Sequence, residues 1–213
     1  MTDRVEPQLY LVSPPQPAAD FADQVKAALD SGPVASFQLW LADEDEGEIR
    51  RLVSKLRPAV QDRDTAFILN GHVKLAAYLE CDGVHLDKAT PKDIKAARKT
   101  LGGDAIIGVS CGTSRHDAME AAEAGADYVS FGPVYDTATK GLTAAAGALD
   151  ALTWWAEMME VPCVAVGGIT PENAKPVLRT KCEFICAVSS VWNGSQGPAE
   201  AVRAFASVLA EQD

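Results

Sequence analysis

The segment YVSFGPVYDTATK, residues 128–140, decides the fold together with a second segment, CVAVGGIT at residues 163–170. Each begins as a short apolar run typical of a buried strand and then breaks off into glycine and small hydroxyl residues. A loop of this kind between a strand and a helix presents backbone N–H groups, which bind phosphate well. The two segments therefore predict βα loops that form a phosphate site.

A short apolar run followed by a helical pattern recurs along the rest of the chain. Eight strands are predicted, at residues 9–12, 34–39, 66–69, 83–86, 106–110, 128–132, 163–166 and 184–188. Eight helices are predicted at residues 21–29, 46–61, 73–80, 90–101, 114–124, 148–160, 171–179 and 198–211. Thr90-Pro91 and Thr170-Pro171 each place a hydroxyl at the N-cap and proline at the first helical position. Strict alternation is typical of the α/β class, as a parallel (β/α)8 TIM barrel; a doubly wound sheet is the structural alternative.

Composition and charge limit the classes of function. The chain has 213 residues, 47% hydrophobic and 23% charged, which predicts a single domain over residues 1–213. The net charge is -11 without a Lys/Arg cluster, so nucleic acid and acidic membrane surfaces are not expected partners. We expect a soluble, cytoplasmic protein, because no apolar run reaches the ~18 residues of a membrane helix. The five cysteines match no zinc or disulfide spacing and are expected to be mostly buried and free.

In a TIM barrel the active site forms where the carboxyl ends of the strands meet. The residues at these ends are therefore the candidates for function: Gln38, Asn70, His85, Asp87, Ser110, residues 132–140, Gly167, Gly168, Ser189 and Ser190. An anionic substrate must be held by such local features, because the chain as a whole is negative.

The motifs at the strand ends, taken in order, resemble those of the thiamine-phosphate synthase family and its sister branch, the thiazole tautomerases. The motifs are LYLVS (9–13), FQLW (37–40), ILNGHVKLA (68–76), CDGVHL (81–86), IIGVS (106–110), AGADYVSFGPVYDTATK (124–140), VAVGGITPENA (164–174) and AVSSVW (187–192). A single motif of this length is weak evidence, but eight in register specify the family. The resemblance implies a TIM-barrel transferase of thiamine biosynthesis. Such an enzyme joins hydroxymethylpyrimidine diphosphate to thiazole phosphate and releases pyrophosphate with the help of Mg²⁺.

The resemblance also implies roles for individual residues. Lys140 corresponds to the lysine that holds the diphosphate and Ser110 to a serine near the pyrimidine, which makes them the implied catalytic residues. A cation at Lys140 suits the chemistry, because negative charge builds on the departing pyrophosphate. Substrate binding is implied for Gln38, Asn70, Thr137, Thr139, Gly167, Gly168, Val188 and Ser189.

The diphosphate half of the site departs from the family pattern. Trp40 and Ala42 stand where synthases carry Arg and Lys, and Gly71 stands where they carry a Mg²⁺-binding aspartate. Asp87 is the candidate metal ligand, although it precedes the position of the second aspartate. Since Mg²⁺ prefers carboxylate oxygen, we expect a weakened metal site, where Lys88 would supply charge in place of the ion. Trp40 would either stack on a planar substrate ring or close a vacant diphosphate site.

Two other functions are left open. The Asn70-Gly71 pair resembles the tautomerase branch, but Gly112 stands where that branch has its proton-transferring histidine. His116 is expected on a helix surface, and His85 is expected to be a hydrogen-bonded histidine inside the barrel. The third function is a non-catalytic binder of thiazole or thiamine phosphate. We prefer the synthase; the sequence leaves a homo-oligomer open.

Overall fold

The computed structural model describes residues 6–42, 45–137 and 139–211, and in them the strands form one closed barrel. The strands are β1 Gln8–Val12, β2 Val34–Leu39, β3 Ala66–Asn70, β4 Gly83–Asp87, β5 Ile106–Ser110, β6 Tyr128–Phe131, β7 Cys163–Ala165 and β8 Phe184–Ala187. They follow one another in sequence order around the barrel, all in parallel, and β1 closes the barrel by pairing with β8. The (β/α)8 prediction is confirmed, and this closure excludes the doubly wound sheet.

Helices connect the strands on the outside of the barrel. They are α1 Phe21–Leu29, α2 Glu46–Gln61, α3 Val73–Tyr78, α4 Pro91–Leu101, α5 Arg115–Glu123, α6 Ala148–Met158, α7 Ala174–Leu178, α8 Ser189–Trp192 and α9 Pro198–Ala210. Thr90 caps α4 as predicted, since its hydroxyl accepts from the N–H of Asp93 while the Asp93 carboxylate accepts from the N–H of Thr90. In the part of the chain that the structure describes, no helix combines the length and apolarity needed to cross a bilayer.

The predicted helix at residues 171–179 is wrong in its first turn. Pro171–Asn173 forms a 3-10 turn, and the α-helix starts only at Ala174. Pro176 has no N–H to donate to the carbonyl four residues earlier, which weakens the start of a regular α-helix here. Two other predicted helices run too long: α3 ends at Tyr78, and α6 ends at Met158, after which Met159 is extended.

Side chains alternate between two environments along each strand. Residues such as Leu9, Leu11, Phe37 and Phe131 point outward and form the large apolar core between the strands and the helices. Inward-pointing residues meet inside the barrel, where a smaller buried cluster forms from Tyr10, Tyr128, Val164 and Cys186. All five cysteines are free and four are buried, as predicted. The barrel interior thus carries polar and aromatic residues directly below the strand ends.

Candidate active site

A cavity of about 790 Å³ opens at the carboxyl end of the barrel. Eight of the predicted site residues line it: Gln38, Asp87, Ser110, Thr137, Thr139, Lys140, Gly167 and Val188. Asn70, Gly168 and Ser189 are not among the lining residues. Asn70 instead hydrogen-bonds to Gln38, which does line the cavity. Gly168 and Ser189 directly follow the lining residues Gly167 and Val188 in the chain. The cavity has the size of a site for a small molecule.

The loops after β6 and β7 are bound to each other. The N–H of Val134 donates to the carbonyl of Val166 (2.8 Å), and the N–H of Tyr135 donates to that of Gly167 (3.1 Å). The Tyr135 hydroxyl donates to the carbonyl of Asn173 at 2.8 Å. These contacts hold the two predicted phosphate loops side by side on one side of the mouth.

Gly167 and Gly168 permit this close approach. Their φ angles are +102° and +63°, a left-handed region that favours glycine. A Cβ at Gly168 would overlap the carbonyl oxygen of Asp136, and one at Gly167 would overlap Pro133. Paired glycines commonly serve tight packing between a strand and a helix. The structure shows packing between two loops, and a role in phosphate binding stays a prediction.

A small hairpin carries Thr139 and Lys140. Thr137 and Leu142 exchange two backbone hydrogen bonds of 2.8 and 3.1 Å, and the Asp136 carboxylate accepts from the N–H of Ala144 at 2.7 Å. The hairpin therefore presents Lys140 from a supported turn and not from an unconstrained loop.

Inside the mouth, seven side chains form a ring of polar contacts, which we call the polar ring. Its members are Tyr10, Gln38, Asn70, Asp87, Ser110, His85 and Tyr128. On one arc the Tyr10 hydroxyl donates to Gln38 Oε1 (2.9 Å), and Gln38 Nε2 donates to Asn70 Oδ1 (2.7 Å). The Asn70 amide in turn faces the Asp87 carboxylate and helps to lower the pKa of that group.

The other arc of the polar ring runs through His85. Its Nδ1 lies 2.9 Å from the Tyr128 hydroxyl and its Nε2 lies 2.8 Å from Ser110 Oγ, which is itself 2.9 Å from Asp87 Oδ1. The Tyr128 hydroxyl closes the ring at 2.7 Å from that of Tyr10. The predicted hydrogen-bonded histidine inside the barrel is confirmed at His85.

The direction of these bonds selects one form of His85. Because the Tyr10 proton goes to Gln38, Tyr128 must donate to Tyr10, and so His85 Nδ1–H donates to Tyr128. Burial lowers the pKa of His85 to about 4, so the ring is neutral at pH 7 and Nε2 is an acceptor. Ser110 then faces two acceptors, His85 and Asp87, with one proton. That proton goes to Asp87 Oδ1, and Ser110 Oγ is fixed by this bond while it lies 2.8 Å from His85 Nε2.

Lys140 reaches across the mouth toward the ends of β2 and β4. Its Nζ lies 3.7 Å from Asp87 Oδ2 and 4.9 Å from the centroid of the Trp40 ring. Partial burial opposes ionisation of Asp87, but Lys140 and hydrogen bonds from Ser110 and Asn70 outweigh it and lower the pKa of this carboxyl. The mouth therefore holds a carboxylate and an ammonium group at the side where the predicted diphosphate would lie.

The donor set at Asp87 determines which kind of metal site the protein offers. The described residues hold no group of three or more His, Cys, Asp or Glu side chains placed for a metal ion. The Ser110 hydroxyl and the Asn70 amide face Asp87 as donors, and Gly71 adds no second carboxylate at the end of β3. Mg²⁺ in enzymes is commonly held by one or two carboxylates together with substrate phosphates. These residues fit an ion that arrives with a diphosphate, and not a cage made by the protein alone.

Sequence reasoning missed Tyr10 and Tyr128. Their signal is the two-residue alternation of LYLV and YVSF: the aliphatic and phenylalanine side chains point outward, so both tyrosines point into the barrel. His116, by contrast, lies as predicted on a helix surface, with 74% of its side chain exposed, and pairs with Glu120. It is not a base for chemistry in the mouth.

A closed (β/α)8 barrel with fixed polar groups and a lysine at its mouth defines a TIM-barrel enzyme that acts on a small molecule. Comparison with known proteins identifies the family. The family model described as thiamine monophosphate synthase matches residues 9–191, and the chain belongs to this family. The family predicted from the eight motifs is confirmed.

Individual relatives agree with the family. The chain is 50% identical to a thiamine-phosphate synthase of Rhodospirillum centenum over 205 residues, covering 95% of this chain and 97% of the relative. It is 43% identical to one of Erythrobacter litoralis over 208 residues, covering 95% of each chain. Among solved structures, thiamine phosphate pyrophosphorylase from Pyrococcus furiosus is similar with a TM-score of 0.80 and 27% identity, covering 98% of both chains.

Proposed function

We propose that this protein is a thiamine-phosphate synthase, which joins hydroxymethylpyrimidine diphosphate to thiazole phosphate and releases pyrophosphate. One observation carries the proposal beyond family membership: Lys140 lies beside Asp87 within the cavity that the phosphate loops also line. A cation next to a carboxylate suits a departing pyrophosphate with its Mg²⁺ ion. The polar ring is proposed to bind the pyrimidine, and the phosphate loops are proposed to bind the thiazole phosphate.

The thiazole phosphate belongs on the side of the loops after β6 and β7. Thr137, Thr139 and Gly167 line the cavity there, and the two loops are held together by backbone hydrogen bonds. Val188 lines the same cavity directly after β8. Hydroxyl and backbone N–H groups bind phosphate without a large positive charge, as a chain of net charge -11 requires. Gly168 and Ser189 are proposed to add backbone N–H groups from positions just behind the lining residues.

The pyrimidine belongs over the polar ring. Gln38 and Asn70 are buried, and Ser110 is held between His85 and Asp87. Groups fixed before the substrate arrives need no reorganisation when charge develops in the reaction. Ser110 and Gln38 are therefore proposed to orient the heterocycle so that its methylene carbon faces the thiazole.

In the reaction, the bond between the pyrimidine methylene carbon and the diphosphate oxygen breaks, and its electron pair leaves with pyrophosphate. The methylene carbon gains a bond to the thiazole nitrogen. The Lys140 ammonium stabilises the charge that develops on the leaving group. Asp87 would hold the Mg²⁺ ion, which supplies further positive charge to the diphosphate when it is bound. Lys140 and Ser110 are thus the proposed catalytic residues.

The test is a product assay with the purified protein, both substrates and Mg²⁺. We expect thiamine phosphate and pyrophosphate in equal amounts, and a fall in kcat of about 10²–10³-fold in Lys140→Ala, the usual loss when one charge-stabilising donor is removed. Lys92→Ala, which removes an exposed lysine of α4, is the matched control and should retain full activity. Absence of product at high enzyme concentration would refute the proposal.

Lys88→Ala tests the separate hypothesis that Lys88 replaces metal charge at the diphosphate. Lys88 lines the same cavity, next to Asp87. If the variant keeps full activity over a Mg²⁺ titration, Lys88 has no such role. The cytoplasmic location and the homo-oligomer stay predictions from the sequence.

A further inference from the structure

Trp40 occupies the end of β2, where the family pattern has a cation, and its backbone is fixed there. The Ser13 hydroxyl donates to the carbonyl of Trp40 (2.7 Å) and accepts from its N–H (2.9 Å). Ser13 is fully buried, so water does not compete for these bonds. The indole ring therefore leaves the strand in a set direction and lines the mouth.

The Trp40 ring is in contact with the proposed catalytic lysine. Nζ of Lys140 lies 4.9 Å from the ring centroid, within the range of a cation–π interaction, for which tryptophan is the best aromatic partner. Lys140 comes from the loop after β6, on the other side of the barrel from β2. Its long side chain has many rotamers, and the contacts with Trp40 and Asp87 favour the one that crosses the mouth.

We propose that Trp40 is the positioning residue for Lys140: its ring holds the ammonium group at the strand ends where pyrophosphate departs. This inference rests on the proposed function and deepens it. An Arg or Lys at position 40 would add a charge at this place but would repel Lys140. The indole adds no charge and instead places the lysine that the chain already has.

Two simpler roles for Trp40 lead to different expectations. A ring that stacks on a substrate, or one that only closes an empty subsite, acts whether or not Lys140 is present. A ring that acts through Lys140 loses its effect when the lysine is removed. A double-mutant cycle between the two positions separates these cases.

The experiment measures kcat and KM for Trp40→Leu, Trp40→Phe, Lys140→Ala and the Trp40→Leu/Lys140→Ala double variant. We expect Trp40→Leu to lower kcat roughly 2- to 10-fold, the range for a half-exposed cation–π contact, while KM for thiazole phosphate is unchanged. Trp40→Phe, which keeps an aromatic face, should recover most of this loss. The double variant should match Lys140→Ala. An equal effect of Trp40→Leu with and without Lys140 would overturn the inference.

A binding experiment keeps the inference testable even if the protein forms no product. Inorganic pyrophosphate with Mg²⁺ is titrated calorimetrically into the same four variants and the unaltered protein. Trp40→Leu should weaken pyrophosphate binding when Lys140 is present and should have no effect in the Lys140→Ala background. Pyrophosphate should also change the tryptophan fluorescence of the unaltered protein. Trp154→Phe is the control and should show the same change, because the Trp154 indole contacts Arg115 and not Lys140. The change should vanish in Trp40→Phe. A protein that binds no pyrophosphate, or in which the Trp40→Phe signal persists, contradicts the positioning role.

Discussion

Replacement of Tyr128 by phenylalanine tests whether the polar ring holds the mouth together. The change removes one oxygen atom from a buried position, where it lies 2.7 Å from the Tyr10 hydroxyl and 2.9 Å from His85 Nδ1. The aromatic ring itself stays, so its contacts with Tyr10 and His85, with centroids 5.8 and 5.7 Å away, are retained. The variant therefore isolates the hydrogen bonds from the packing.

The expected loss of stability follows from the partners that remain. Tyr10 keeps its bond to Gln38, but the Nδ1–H of His85 is left buried without an acceptor. Two net hydrogen bonds of about 1 kcal/mol each, with part of the 1–3 kcal/mol penalty for an orphaned buried donor, give about 3 kcal/mol. In a protein of this size that lowers Tm by roughly 6–12 °C.

The measurement is urea denaturation followed by circular dichroism, with Tm from a thermal scan. Tyr135→Phe is the matched control, because its hydroxyl makes one bond, to the carbonyl of Asn173, in a partly buried loop. We expect the control to lose about 1 kcal/mol or less. If Tyr128→Phe loses no more than Tyr135→Phe, the polar ring is not a unit that stabilises the barrel.

Three further predictions concern packing, an ion-paired anchor and the thiols. Gly108→Ala should lower the free energy of unfolding by about 3 kcal/mol in the same assay, because a Cβ there overlaps the Tyr128 ring. Arg98→Ala should lower the free energy of unfolding by about 2 kcal/mol, since Arg98 donates to four backbone carbonyls and to Asp127. Arg51→Ala is the control and should change that free energy little, because Arg51 belongs to an exposed ion pair with Glu48. Burial raises the pKa of all five thiols, so a thiol reagent at pH 8 should label none in the folded protein and five in denaturant.

The fold could be predicted because its signals are local. Each strand shows a short apolar run, and caps such as Thr90 mark where helices begin, so the alternation predicts the α/β class and favours the barrel. The pairing of β1 with β8 is what excludes the doubly wound sheet. The polar ring could not be predicted, because it joins residues far apart in the chain, such as Tyr10 and Tyr128, whose meeting depends on the stagger of the strands. The contact of Lys140 with Trp40 depends on how a loop folds over the mouth, which no period in the sequence encodes.

The charges that the structure places at the mouth include an opposite pair, Asp87 and Lys140. Compared with the pattern that the resemblance implies, two cations are absent, at Trp40 and Ala42, and one acid is absent, at Gly71. Unpaired charges in a partly buried site are costly, whereas the joint loss leaves Asp87 and Lys140 as an opposite pair 3.7 Å apart. The Asp87 carboxylate, the Lys140 ammonium and the Trp40 ring together still place positive charge at a leaving diphosphate. The residues at positions 40, 42 and 71 therefore do not argue against transferase chemistry, because Asp87 and Lys140 remain as a pair and Lys140 still supplies a cation for the leaving group.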